Sequence, residues 1–200
     1  MQYYASDKLI DQLVRHEQFQ AMLYPDSLSK LFAMCGHYGL SPYNGGYRAI
    51  PGWQKMGGEP WTIGYGHNHT ATPIPGIGHE SIMSKDQARR LLYTDAELVG
   101  SALLDAFPWM NEMPSTRFAV FVNMGYNMGV AGLSEFRKTL VAAEKGNYSM
   151  CADQMLESKW ASQVGNYSPN SPRGVKYGRP GRAWELSEQM RTGEWWDNDA

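Results

Sequence analysis

Two carboxylates near the start of the chain have the types and the spacing for acid–base chemistry. Glu17 follows Leu9, Ile10, Leu13 and Val14 at helical spacing, so it falls on the apolar face of an amphipathic helix. Asp26 comes nine residues later, in a polar Pro25–Asp26–Ser27 turn. Apolar surroundings favour a protonated carboxyl group, whereas a polar turn favours the ionised one. Glycosidic-bond hydrolysis needs two carboxyls held in unlike states. One donates a proton to the leaving oxygen, and the other activates water or stabilises an oxocarbenium-like centre. Taken singly, Glu17 is more often a helix-end acid and Asp26 a turn former. Thr62 opens a third informative segment, Trp61-Thr-Ile-Gly-Tyr-Gly-His67, in which β-branched and aromatic residues alternate with glycines suited to a strand and tight turn.

These residues must be positioned by the elements around them. The first helix is capped by Ser6 or Asp7. From Met22 to about Thr70, four prolines (Pro25, Pro42, Pro51, Pro60) and two Gly-Gly pairs break any long helix, which predicts a small sheet with long loops and a short helix over Leu28–Met34. Ala71–Glu80 reads as a loop. Ser84-Lys-Asp-Gln87 has the spacing of a capping box, and the helix it opens ends before Pro108. Further helices are expected near Ser115–Met128, Glu135–Glu144, Tyr148–Trp160 and Arg182–Met190, with a basic loop from Pro169 to Arg182. The order helix, small sheet, long helix, helical remainder predicts a mostly helical α+β fold.

Composition narrows the classes. The 200 residues carry 18 Lys+Arg against 20 Asp+Glu, a net charge of −2, so no global charge draws the protein to nucleic acid or anionic lipid. No apolar run is long enough to span a bilayer, and the first residues lack the basic start and apolar stretch of a secretory signal. Cys35 and Cys151 are expected to be separate free thiols. His67-x-His69 with His79, and Cys35-x-His37, are conceivable zinc ligands, but no His-Glu-x-x-His or paired Cys-x-x-Cys accompanies them and no metal is expected. Gly-x-Ser-x-Gly and P-loop motifs are absent from the sequence.

The combination His16-Glu17, Leu23-Tyr24-Pro25-Asp26 and Trp61-Thr62-Ile-Gly-Tyr-Gly66-His67 resembles the phage-type lysozymes, the endolysins of the T-even phage lysozyme family. The resemblance runs on in order through Val122–Gly129, Phe136–Leu140, Ser158-Lys-Trp160, Arg182-Ala183 and Arg191–Trp195. It implies a small β-sheet lobe (about 18–80) and a larger helical lobe (1–17 and 81–200) with a cleft between, forming one catalytic domain. It implies hydrolysis of the β-1,4 bond between N-acetylmuramic acid and N-acetylglucosamine in bacterial peptidoglycan. Glu17 would be the proton donor, Asp26 the carboxylate assisting water, and Thr62 the hydroxyl positioning that water. His67 falls at a cleft histidine, Asn68 at a sugar-binding position on the sheet side, and Tyr126, Thr139 and Gln154 at sugar-binding positions of the helical lobe. Arg182 aligns with the arginine that pairs with the catalytic glutamate.

The resemblance further implies no cofactor, no nucleic acid partner, no integral membrane association and a monomer. The chain would be made in the host cytoplasm without an export signal and reach the wall after a holin opens the membrane, for host lysis. A lytic transglycosylase, which needs no water-activating pair, and an inactive wall-binding module are the alternatives. Two features depart from the family. Thirty-five residues separate Asp26 from Thr62, where the family usually has only a few. This insertion, about 27–59, holds Tyr38, Tyr43, Tyr47 and Trp53, and is expected either to widen the cleft wall or contact the peptide stem, or to be a surface elaboration. It also brings Glu59 close in sequence to Thr62 as a rival to Asp26. The second departure is the slightly acidic net charge, which leaves the basic loop around Arg173–Arg182 as the one basic stretch.

Overall fold

The computed structural model describes residues 4–196. Its elements are α1 (Asp7–His16), β1 (Gln20–Tyr24), α2 (Lys30–His37), β2 (Thr62–Gly64), β3 (His67–Asn68), α3 (Lys85–Ala106), α4 (Ser115–Ser134), α5 (Arg137–Glu144), α6 (Tyr148–Leu156), α7 (Lys159–Val164), α8 (Pro172–Tyr177) and α9 (Arg182–Thr192). The expected α+β class is the observed one.

The chain divides into two compact units. One runs Ile10–Asp95, and the other joins the residues up to Leu9 with those from Ala96 onward. The division lies inside α1 and α3, whereas the sequence reading drew the lobes at about residues 17 and 80. Two polar links account for the shift. Arg89 on α3 pairs with Asp11 on α1 at 2.7 Å, and Asp95 on α3 holds His67 of β3 at 2.9 Å. The first turns of α3 thereby belong with the sheet.

In the sheet-bearing unit the strands lie in the order β1-β2-β3, all antiparallel. Register places Tyr24 opposite Thr62, and Thr62 opposite Asn68. Side chains in register across neighbouring strands share a face, so Tyr24, Thr62 and Asn68 form one row. Gly64 and Gly66 take φ of 70° and 94°, the left-handed conformations that the turn after β2 needs. The capping box before α3 forms in both directions: Ser84 N–H donates to Gln87 Oε1 at 2.8 Å, and Gln87 N–H to Ser84 Oγ at 3.2 Å.

The insertion folds around its own nucleus. Leu31, Cys35, Tyr47 and Ile50 are buried together, with Met34, Leu40, Trp53, Met56 and Trp61 packed against them. Ser29 caps α2 by accepting from Phe32 N–H, so the short helix begins two residues later than expected and runs to His37. Two backbone bonds close the insertion at its base, from Asp26 N–H to Gly58 O (3.0 Å) and from Leu31 N–H to Gly57 O (3.1 Å). A Cβ on Gly58 would lie 2.6 Å from the Trp61 indole, so only glycine allows this approach.

In the helical unit α9 packs against α4, α6 and α7, and α5 against α6. Phe121, Met124, Leu133, Met155, Leu186 and Met190 are buried there. The helix expected to stop at Met128 breaks at Gly129 (φ 76°, ψ 155°) and then resumes to Ser134. The helix expected over Tyr148–Trp160 is two, because Ser158 caps a new one by accepting from Ala161 N–H. Part of the basic loop is helical too: Ser171 caps α8, and Pro172 fits its first turn. Both cysteines are free and buried, one in each unit.

Candidate active site

Glu17 sits one residue beyond α1, and its N–H still donates to Leu13 O at 2.8 Å, so the last helical turn fixes its backbone. It is half-buried, as a carboxylate on an apolar face must be at a helix end. The chain then enters β1, whose last residue is Tyr24. Asp26 follows after Pro25, its backbone tied on both sides. Its N–H donates to Gly58 O, its carbonyl accepts from Ser29 N–H at 3.0 Å, and its Oδ1 accepts from Leu28 N–H at 2.8 Å. One carboxylate oxygen is thus held by the turn, while no hydrogen bond among the described residues occupies the other.

Tyr24 links these groups. Its hydroxyl is hydrogen-bonded to the Thr62 side chain, its partner in the strand register. Burial pushes the phenol up to about 12 against the lowering effect of the Thr62 bond, and the nearby negative charges of Glu17 and Asp26 push in the same direction as burial. Both carboxylates therefore bear on the same phenol that holds Thr62. Glu17, Asp26 and Thr62 lie in the same compact unit, Ile10–Asp95, whereas the sequence reading placed Glu17 in the helical lobe, and Tyr24 stands beside all three. Tyr24 was named in the sequence only as the lead-in to Asp26. Its place opposite Thr62 follows from the strand register, which the sequence alone does not give. Tyr43 of the insertion packs on Tyr24 with ring centroids 5.2 Å apart, and Phe32 packs on Tyr43 at 5.8 Å. Glu59, the rival carboxylate, is exposed and lines a different pocket within the insertion.

His67 does not sit as expected. It is 4% exposed, with Nδ1 bonded to Asp95 and Nε2 to the Thr72 carbonyl at 2.8 Å. Both acceptors need an N–H, so the ring carries two protons and is spent on holding β3 to α3. A sugar contact through its nitrogens is closed in this arrangement. Asn68 is exposed in the same row as Thr62, with its Oδ1 accepting from Ala71 N–H. His69 Nδ1 accepts from Ile74 N–H, and His79 Nδ1 meets the Tyr47 hydroxyl. Among the described residues no three His, Cys, Asp or Glu side chains are grouped to hold a metal ion.

In the helical unit Thr139 and Gln154 line one open groove of about 650 Å³ together with Phe136, Lys159 and Trp160. The Thr139 residue is 2% exposed, and Gln154 Nε2 donates to Glu157 Oε2 at 2.8 Å. Tyr126 is half-buried on α4, and the next residue, Asn127, accepts from the Trp160 indole N–H at 2.8 Å. Arg182 opens α9 as a buried cation. Its Nε donates to Asn123 Oδ1 at 2.9 Å and its Nη2 to Asn123 O at 3.0 Å.

A small three-stranded antiparallel sheet with a helical remainder is the α+β architecture of lysozyme-like folds. Residues 43–173 match the model of the phage lysozyme family, so the chain belongs to that family, whose activity is hydrolysis of peptidoglycan. The matched segment contains Thr62, Asn68, Tyr126, Thr139 and Gln154. Glu17 and Asp26 lie before it and Arg182 after it, so their roles rest on residue pattern and geometry. No helix among the described residues is long and apolar enough to cross a membrane.

Proposed function

We propose that the protein is an endolysin that hydrolyses the β-1,4 bond from N-acetylmuramic acid to N-acetylglucosamine. The observation that carries this reading is the phage lysozyme family match over residues 43–173, and it is supported by Glu17 and Asp26 both lying near enough to Tyr24, the cross-strand partner of Thr62, to raise its pKa. Glu17 donates its proton to the glycosidic oxygen as the bond from the muramic C1 breaks. Water held by Thr62 adds to that carbon and gives its proton to Asp26, and both carboxyls return to their starting states by exchange with solvent. No cofactor enters these steps. Asn68, Tyr126, Thr139 and Gln154 bind the glycan, and Arg182 organises the start of α9. The protein acts as a monomer on the periplasmic wall, after synthesis in the infected cytoplasm and passage through a membrane opened by a holin.

The test is mass spectrometry of soluble products from purified Gram-negative peptidoglycan, with Glu17→Gln in parallel. The expected result is reducing muramic ends from the wild type and a loss of about 10²–10⁴-fold in the variant. Anhydro ends would move the protein to the lytic transglycosylases and remove the role given to Asp26. Binding without products would leave a wall-binding module.

A further inference from the structure

The insertion contains a pocket that the proposed chemistry does not use. It has a volume of about 330 Å³, and Trp53, Gln54, Met56, Glu59, Trp61 and His79 wall it over the bare Gly57–Gly58 backbone. Three walls are aromatic and stand nearly at right angles. Trp53 and Trp61 meet at 81° with centroids 6.4 Å apart, Trp53 and His79 at 77° and 4.8 Å, Trp61 and His79 at 72° and 4.4 Å. Rings packed edge to face present parts of several π faces, not the single flat platform on which a sugar ring stacks.

Beside the indole and amide N–H donors of Trp53, Trp61 and Gln54, the pocket lining carries acceptors on His79, Glu59 and Gln54. Tyr47 has one hydroxyl proton, and the Leu23 carbonyl at 3.1 Å can only accept it. His79 Nδ1, 3.0 Å from the same hydroxyl oxygen, must then carry a hydrogen and donate to Tyr47. That leaves Nε2 as a lone-pair acceptor. Burial, with the charge of Arg48 adding to it, pulls the imidazole below the ordinary histidine value and keeps the ring neutral. Arg48 is itself neutralised by its ion pair with Glu80. Glu59 is exposed and makes no ion pair among the described residues, and Gln54 adds an amide oxygen. A carboxylate, an imidazole lone pair and indole faces together are complementary to an ammonium group. The pocket floor also adjoins the catalytic turn, because Gly58 O accepts from Asp26 N–H.

We infer that this pocket binds the side-chain ammonium of a diamino acid in the peptide stems of peptidoglycan. The ligand class rests on the hydrolase reading above. The test titrates the full chain with the stem tripeptide N-acetyl-alanyl-γ-glutamyl-diaminopimelate and with the same peptide acetylated on its remaining amine, following the indole N–H signals. The free-amine peptide is expected to bind saturably, with shifts at Trp53 and Trp61. Acetylation of the ammonium, and separately Glu59→Gln, each weaken binding by about tenfold, the scale of a partly desolvated cation–π and carboxylate contact. Trp53 packs on the insertion's nucleus, so its removal would confound folding with binding; the exposed positions Glu59 and Gln54 are used instead. Equal affinity for the two peptides, no binding of either, or unchanged affinity in Glu59→Gln would overturn the assignment. The titration does not depend on hydrolysis. Failure of the hydrolase reading shows separately, as a wild type that releases no reducing muramic ends.

Discussion

At the scale of residues, the site turns on a tyrosine that carries no charge and transfers no proton. With its phenol at about 12, Tyr24 stays protonated throughout the range in which a carboxylate pair works, so in the proposed mechanism its part is to position Thr62. Tyr24→Phe is expected to lower kcat by about tenfold at unchanged KM, because misplacing the attacking water weakens only the transition state. Made on a Thr62→Val background, the same change should have little further effect, and a double-mutant cycle on kcat measures that coupling. Additive losses would mean that Tyr24 acts by another route. The proposed Glu17–Asp26–Thr62 set came from residue type, spacing and segment wording in the sequence, and its members lie in one compact unit. Tyr24 was not singled out, since tyrosine beside proline in a strand reads as packing until the strand register is known. For His67 the sequence shows a histidine near the proposed site but not the two acceptors that occupy its ring.

At the scale of elements, His67 joins strand to helix, and its bonds are pH-dependent. Burial alone would lower its pKa, but the Asp95 hydrogen bond and charge, with the Thr72 carbonyl, outweigh burial and raise it above the ordinary 6.5. A raised pKa in the folded state contributes stability that is complete below the unfolded value and is lost as pH rises through the folded one. The denaturation midpoint should therefore fall as pH increases from about 6.5 upward. In His67→Gln that slope should flatten, and urea titrations across this range compare the two proteins.

A second junction is Arg117 on α4, which closes the end of α9. Its Nε donates to Met190 O at 2.8 Å, its Nη2 to Arg191 O at 3.2 Å, and its guanidinium stacks on Tyr148 at 4.1 Å. Arg117→Ala should cost about 1–3 kcal/mol through unsatisfied carbonyls and the lost stacking, read as a lower Tm. Arg117→Lys should recover only part, since an ammonium cannot reproduce the planar fork. Helices were legible where caps and periodicity coincide, as at Ser84–Gln87. They were misread where a cap lay inside a periodic stretch, as at Ser158, or where basic residues masked a short turn of helix, as in α8.

At the scale of the whole molecule, each unit holds one buried thiol. Cys35 lies in the small nucleus of the insertion, and Cys151 on α6, where burial pushes the thiol up to about 12. Both should be inert to a disulfide reagent in the native protein, because only the accessible thiolate reacts. Under increasing urea Cys35 should become reactive first, since a nucleus of a few side chains opens before the core of α4, α5, α6 and α9. Labelling followed by peptide mass spectrometry distinguishes the two sites, and simultaneous labelling would show that the chain unfolds as one cooperative body. The sequence reading drew two lobes with limits near residues 17 and 80, and the contacts divide the chain inside α1 and α3. The observed limits depend on side-chain links such as Arg89–Asp11, which join positions far apart in the chain.

The paired hydrogen bonds at the base of the insertion have a consequence for how such a chain can be varied. Asp26 and Gly58 are neighbours across one bond, and Leu31 and Gly57 across another, so the chain leaves and returns at nearly the same place. Whatever lies between them imposes no stretch on β1 or β2, and closure entropy grows only slowly with the length enclosed. The segment is in effect an exchangeable cassette. Segments of other lengths that keep these closing bonds and the Tyr43 and Tyr47 contacts to β1 could be spliced in and present a new surface beside the Asp26 turn.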